Sequence, residues 1–294
     1  MTRDLGPVLV TGAAGFLGAA LVTRLRAMGH QVTASDLGHG STPCDLTGFP
    51  QVDRLVHQNA PHSLFHCGAV SGPMVLADQP LKIWQINAFG TAYLLEAARL
   101  HGVGRVIVCS TVDVYGDQTG VMDEVNLLRP TSVYGASKIA AEAAMMGYIR
   151  EHGLDAVALR LSWIYGPGRQ TPTTLEAILR AGIAEQNIDI AASPGDVTHY
   201  LCIDDAVNGL ICAGQALTLP ERVYNITAGA GIPMQRVIEI CQALGLGSTI
   251  TLLRTDAAPG PDTYDTHRTA RDLGFHPATS LMDGLRLYRD ALAR

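Results

Sequence analysis

Val8-Leu9-Val10-Thr11-Gly12-Ala13-Ala14-Gly15-Phe16-Leu17-Gly18 decides how the rest of the chain is read. A short apolar run turns through glycines spaced G-x-x-G-x-x-G into Ala19 to Met28, which reads as a helix ended by Gly29. Glycine at such a turn allows a sharp reversal and lets the backbone approach a pyrophosphate. The N–H groups and dipole of the helix that follows favour an anion at the same place. The spacing departs from G-x-G-x-x-G, and taken alone it suits a plain tight turn equally well.

The alternation continues outward from that turn. Gln31-Val32-Thr33-Ala34-Ser35 is a second strand, closed by Asp36, and Ser63-Leu64-Phe65-His66 is another. Ile83 to Leu100 is a long helix stopped by Gly102, and Arg105-Val106-Ile107-Val108-Cys109 is again a strand. Ser137 to His152 reads as a helix ended by Gly153, followed by the strand Ala156 to Leu161. Strands separated by helices pair in parallel through right-handed crossovers, which specifies a Rossmann-type doubly wound α/β sheet. After Tyr165-Gly166-Pro167-Gly168 the rhythm changes to a helix at Leu175–Ala184, a strand at Tyr200–Ile203 and a helix from Asp204 to Ala213. The expected division is a dinucleotide-binding domain of 1–164 plus about 200–228. A small C-terminal α/β substrate lobe takes about 165–199 plus 229–294.

Bulk composition narrows the class. With 294 residues, 47% apolar and 16% charged, the chain can bury a large core without a disulfide or metal staple. A net charge of -6 argues against holding nucleic acid by neutralising its phosphates. The six cysteines form no C-x-x-C and sit mostly in apolar runs, which suggests free thiols and a cytoplasmic, reducing setting. His62 and His66 lie four apart, but Pro61 precedes them and no carboxylate accompanies them, so no metal site is expected. The uncharged stretch from Leu5 to Thr23 lacks the dense apolar centre of a secretory leader. No segment approaches 18 apolar residues without a charge, so no membrane span is expected.

Three further features carry chemistry. Asp36 closes the second strand, where a carboxylate accepts hydrogen bonds from ribose hydroxyls and repels a 2′-phosphate. No Lys or Arg follows until Arg54, so NAD is expected in preference to NADP; a turn-forming aspartate is the other reading of this residue. Tyr134-Gly135-Ala136-Ser137-Lys138 places a phenol and an ammonium one helical turn apart on one face. A nearby cation favours tyrosinate and lowers the phenol from its usual pKa of about 10, making a usable general base. Of 21 basic residues only Lys82 and Lys138 are lysine, and a helix that merely needed positive charge would more typically carry Arg; a surface helix with a Tyr–Lys contact is the other reading. Finally, Cys109-Ser110-Thr111 ends a buried strand, and ligands of parallel sheets sit at carboxyl ends of strands. A hydroxyl there can hold a substrate oxygen while Tyr134 moves its proton; taken singly Ser110 and Thr111 also suit turn capping, and beside the glycine loop and the Tyr–Lys pair Thr111 is the better candidate for catalysis.

Other segments follow in order: Cys44-Asp45-Leu46, His66-Cys67-Gly68-Ala69, Asn87-Ala88-Phe89-Gly90-Thr91, Arg160 with Tyr165-Gly166-Pro167, Ile203-Asp204-Asp205, Val223-Tyr224-Asn225-Ile226 and Leu273-Gly274-Phe275-His276-Pro277. With the glycine turn, Asp36, Ser110–Gly116 and Tyr134/Lys138, the chain resembles an extended short-chain dehydrogenase/reductase, often labelled NAD-dependent epimerase/dehydratase. The resemblance runs nearly end to end. It implies an enzyme whose dinucleotide is held by Gly12, Gly15, Phe16, Leu17, Gly18 and Asp36, with Asp45 and Leu46 at the adenine. Cys67, Gly68, Ala69, Ser110 and Leu161 would line the cofactor, and Asn87 would hold helix geometry near the site. Tyr134 would be the acid/base, Lys138 would bind the nicotinamide ribose and tune Tyr134, and Thr111 would polarise the substrate oxygen. In many relatives helices equivalent to 81–101 and 132–152 form a four-helix bundle, so a homodimer is expected.

Departures from the family pattern bear on the substrate. Nucleotide-sugar members usually carry an Asn three residues after the Arg of the strand leading to Tyr-Gly-Pro; here Trp163 stands there. Their Gly-x-x-Arg-Asp segment reads Gly195-Asp196-Val197-Thr198-His199, and a further Arg position corresponds to Ala258; Arg169 and Arg254 lie near enough to stand in. Losing groups that clamp a diphosphate points to a smaller substrate: a free sugar, sugar acid, polyol or hydroxy amino acid, oxidised at a secondary alcohol. Dehydratases place Asp-Glu directly after the Thr, whereas this chain has Val112-Asp113, which argues against loss of water. The alternative is a sugar or nucleotide-sugar 4-epimerase using the same Thr/Tyr/Lys site. A second alternative, a non-catalytic dinucleotide-binding redox sensor, would not need the Tyr–Lys pair.

Overall fold

Apolar runs that can bury both faces become central strands of a parallel sheet. The computed structural model, which describes residues 2–38, 40–246, 249–255 and 260–294, has a central sheet of seven strands, the inner ones such runs and the edge strand over Thr42–Pro43 short and exposed. The strands are β1 (Val8–Thr11), β2 (Val32–Asp36), β3 (Thr42–Pro43), β4 (Ser63–His66), β5 (Arg105–Thr111), β6 (Ala156–Leu161) and β7 (Val223–Ile226). The order is β7-β6-β5-β4-β1-β2-β3, with every pairing parallel. Every residue of β1, β4, β5 and β6 is buried. The strand order reverses at β1, between β2 and β4, and this switch point opens a crevice at the carboxyl ends.

Helices cover both faces. α1 (Phe16–Ala27) packs against α7 (Ile203–Gln215) on one side. On the other, α2 (Phe49–Asn59) and α5 (Val133–His152) flank α4 (Gly90–Leu100), burying Leu94, Leu95, Val52, Leu55 and Met145. Helix starts differ from the sequence expectation. α1 begins at Phe16 rather than Ala19, because the glycine turn supplies its first residues. α5 begins at Val133 rather than Ser137, because the Ser132 hydroxyl caps it by accepting from Gly135 N–H at 3.0 Å. The single helix expected over Ile83 to Leu100 starts earlier, as α3 (Pro80–Trp84), and widens into a π turn over Gln85–Phe89 before α4.

Beyond Tyr165 the remaining strands are short. Tyr200–Cys202 pairs in parallel with Trp163–Tyr165, and Ile250–Leu253 pairs in parallel with Ile188–Ala191. α6 (Thr174–Ile183), α8 (Met234–Ala243) and α10 (Leu281–Leu292) pack on one another, and α9 (His267–Leu273) lies against β7. Among the described residues no helix is long and apolar enough to cross a membrane.

Candidate active site

A cavity of about 520 Å³ runs along the carboxyl ends of the sheet. Of the residues singled out from sequence, the glycine turn, Asp36, Asp45, Leu46, Cys67, Gly68, Ala69, Ser110, Thr111, Tyr134, Lys138 and Leu161 all line it. Asn87 does not; it lies fully buried behind the wall.

The glycine turn is packed backbone on backbone. Gly12 has φ +70°, and a Cβ there would stand 2.4 Å from Gly68 N. A Cβ on Gly18 would stand 2.0 Å from Gly12 O, so neither position admits a side chain. α1 starts without a side-chain cap, and Gly15, Phe16, Leu17 and Gly18 at that start line the cavity. At the end of β2, Asp36 Oδ2 accepts from Ala14 N–H at 2.9 Å and Oδ1 from Leu37 N–H at 2.7 Å. An uncapped helix N-terminus, a pinned carboxylate for a ribose diol and the Leu46 side chain beyond it fit a dinucleotide.

Around the phenol, the geometry corrects one expectation. Lys138 Nζ donates to Cys109 O at 2.9 Å and lies 6.0 Å from the Tyr134 ring centroid. In the chain by itself Tyr134 is raised well above the ordinary phenol value, first by burial and then by the Asp113 carboxylate; a hydrogen bond with Thr111 opposes this. The anticipated depression by Lys138 is not among the influences on Tyr134, where burial comes first. Lys138 is itself lowered by burial. Asp113 is raised by burial, and its backbone N–H donates to Thr111 Oγ1 at 3.2 Å. Cys67, one residue past β4, and Cys109 of β5 bring their Sγ atoms to 3.7 Å where both line the cavity.

Buried polar chains hold these groups. Thr91 Oγ1 donates to Asn87 O at 2.6 Å, so it accepts from His66 Nε2 at 3.0 Å; His66 Nδ1 then accepts from Thr11 Oγ1 at 2.8 Å. Burial and the Lys138 charge hold His66 down to about 3, neutral at working pH. Asn87 Oδ1 accepts from Val70 N–H at 2.8 Å, and its Nδ2 donates to Ser137 Oγ at 3.0 Å. Ser137 Oγ in turn donates to Tyr134 O at 2.7 Å, connecting the π turn to the first turn of α5. Behind Thr111, Ser110 donates to Glu142, which is paired with Arg160 through Nη2 at 2.7 Å; both charges are buried. Arg160 Nη1 continues to Tyr115 OH at 2.8 Å, which donates to Asn225 Oδ1 at 2.7 Å.

Sequence reasoning missed Glu142, although it stands four residues beyond Lys138 on the face that already carried Tyr134 and Lys138. It also missed Gln170 and gave Arg169 only a stand-in place. The segment Gly166–Thr171 crosses the glycine turn, where Gln170 Nε2 donates to Ala14 O at 3.2 Å, and Trp163 and Arg169 line the cavity. His199 does not line it; both its ring nitrogens meet carbonyls, Gly229 O at 3.0 Å and Pro261 O at 2.9 Å. Arg254 is exposed away from the cavity, and Ala258 lies outside the described residues.

Comparison with known proteins agrees with this geometry. The model of the NAD dependent epimerase/dehydratase family matches residues 8–227. A dTDP-glucose 4,6-dehydratase of Streptomyces griseus is 31% identical over 95% of this chain and 91% of its own length. A UDP-glucose 4-epimerase of Mycolicibacterium smegmatis is 32% identical over 75% of this chain and 77% of its own. Among solved structures, MoeE5 in complex with UDP-glucuronic acid and NAD superposes with a TM-score of 0.85 at 29% identity, covering 98% of this chain and 99% of that one. The crevice at the switch point, its glycine turn and the matched span converge: the chain belongs to the NAD dependent epimerase/dehydratase family and is an NAD-dependent enzyme of that family.

Proposed function

We propose that the protein is an NAD-dependent epimerase acting at a secondary hydroxyl of a nucleotide sugar. The observation that carries this reading is the convergence of Thr111, Tyr134 and Lys138 in the same cavity as the dinucleotide cradle. Tyr134 takes the substrate hydroxyl proton, Thr111 donates to the same oxygen, and Lys138 holds the ribose beside them. NAD, when bound, would supply the hydride acceptor and donor that inversion at the carbinol carbon requires, so that turnover would leave no net NADH.

Two observations favour this over the simple oxidation of a smaller hydroxy compound. Relatives named for nucleotide sugars match across most of the chain, and Arg169 places a cation in the cavity although Trp163 stands where such relatives carry Asn. Val112 brings no acid beside Thr111, which favours epimerisation over dehydration. Asp36 supports NAD over NADP. Residues about 165–199 plus 229–294 are assigned to the substrate, and a cytoplasmic homodimer through α4 and α5 is the proposed assembly.

The test is turnover of UDP- and dTDP-hexoses by the purified protein, following sugar configuration and NADH together. Interconversion without stoichiometric NADH supports the reading. NADH accumulation on free sugars, polyols or sugar acids, with nucleotide sugars inert, overturns it. Tyr134→Phe is expected to lower kcat by about 10²–10⁴-fold; retained turnover would remove Tyr134 from its role.

A further inference from the structure

Six cysteines are free thiols, and two of them meet. β4 and β5 pair in parallel with His66 opposite Val108, so the next step along each chain puts Cys67 opposite Cys109. Cys67 N–H donates to Thr11 O at 3.1 Å, so the backbone there keeps its place beside β1. Neighbouring strands run about 4.8 Å apart, within the span of Cα atoms that a disulfide bridges. The Cys109 thiol donates to Cys67 Sγ across 3.7 Å, and no other two thiols come together among the described residues. Both line the cavity, so a small solute entering it reaches the pair. The backbone around the two sulfurs belongs to the site. Cys109 O holds Lys138 Nζ at 2.9 Å, and Cys67 leads into Gly68, which packs against the turn at Gly12.

We infer that Cys67 and Cys109 form a modification site, in which a peroxide joins them as a disulfide that weakens dinucleotide binding and a thiol reductant separates them again. The thiolate of one cysteine attacks a peroxide oxygen and the O–O bond breaks. The proton lost by that thiol completes the departing hydroxide as water, leaving a sulfenic acid. The second sulfur displaces the sulfenic hydroxyl, the S–S bond forms, and the second thiol proton leaves with that hydroxyl as another water. The two sulfurs together give up two electrons and the peroxide takes them. In the reduced pair the hydrogen bond from Cys109, and then burial, hold the Cys67 thiol up, while the Lys138 charge acts the other way. Closing 3.7 Å to a bond of about 2.05 Å draws the two strand ends together. One of those ends carries the carbonyl that holds Lys138, and the other carries the wall of the glycine turn. Bound dinucleotide covers the approach and protects the pair. The inference needs the cavity to hold NAD and stands apart from the epimerase reading.

The experiment treats the reduced full chain with hydrogen peroxide at alkaline pH, where thiolate is populated, with and without NAD. Thiols are then counted after denaturation, and linked peptides are mapped by mass spectrometry. Two of the six thiols should disappear, with the Cys67 peptide joined to the Cys109 peptide. NAD at about ten times its Kd should slow that loss about tenfold. The linked protein should bind NADH about tenfold more weakly in fluorescence titration, and dithiothreitol should restore both the thiols and the affinity. Cys109→Ala should give no linked peptide, whereas Cys212→Ser, outside the cavity, should link as wild type does. Should Cys109→Ala fail to fold, Cys67→Ala decides by the same criterion. Survival of all six thiols, links through other cysteines, or sulfinic acid at either residue without a link overturns the inference. So does a linked pair that NAD does not protect, or whose NADH affinity stays within about twofold of the reduced protein.

Discussion

Burial and charge act in the same direction at Tyr134. The buried phenol resists ionisation, and the Asp113 carboxylate adds to that resistance, so the proton-accepting form gains population as pH rises. Replacing Asp113 by Asn removes a negative charge that opposes the phenolate, which lowers Tyr134. The ascending limb of kcat/KM against pH should therefore move to lower pH in Asp113→Asn, and an unmoved limb would remove Asp113 from the titration. At Asp36, loss of the carboxylate should weaken NADH binding by about tenfold and narrow the preference for NAD over NADP, read by parallel fluorescence titrations. The Tyr134–Lys138 pair was legible because an i,i+4 spacing fixes a shared face before any fold is known. Asp113 was not legible as a charge acting on that pair, since only the short helical turn after β5 swings it toward the phenol.

Elements show the same division between local and tertiary causes. β4 and β6 were read with their observed bounds, because apolar runs between glycine and polar punctuation define strands locally. The π turn over Gln85–Phe89 left no such mark, because its buried residue, Asn87, finds its partners in Val70 and Ser137. Asn87→Ala leaves those groups unsatisfied and should cost about 1–3 kcal/mol in denaturant unfolding, with kcat falling because Ser137 then loses its hold on the first turn of α5. His66 ties β1 to β4 and α4 only while neutral. Its folded pKa of about 3 lies below the ordinary 6.5, so the unfolded chain takes up the proton first. Its contribution is complete above pH 6.5 and is lost as pH falls toward 3, at about 1.4 kcal/mol per unit. Stability curves measured across that window should show this slope, and His66→Gln should flatten it.

Across the whole molecule, the doubly wound sheet was legible from alternation alone, whereas the short strand pairs after Tyr165 were not, since each is completed by a partner distant in sequence. The buried Arg160–Glu142 pair belongs to this scale. Through Ser110, Tyr115 and Asn225 it joins the floor of the site to β7, and Glu142→Gln should destabilise the protein by about 3–5 kcal/mol by stranding the guanidinium. Equilibrium unfolding in denaturant measures that loss. β6 ends at Leu161, yet its neighbour β7 begins only at Val223. During synthesis the nascent chain therefore carries an unpaired hydrophobic sheet edge for as long as residues 162–222 are being translated, an interval in which chaperone capture competes with misassembly and which ends when β7 clears the ribosome.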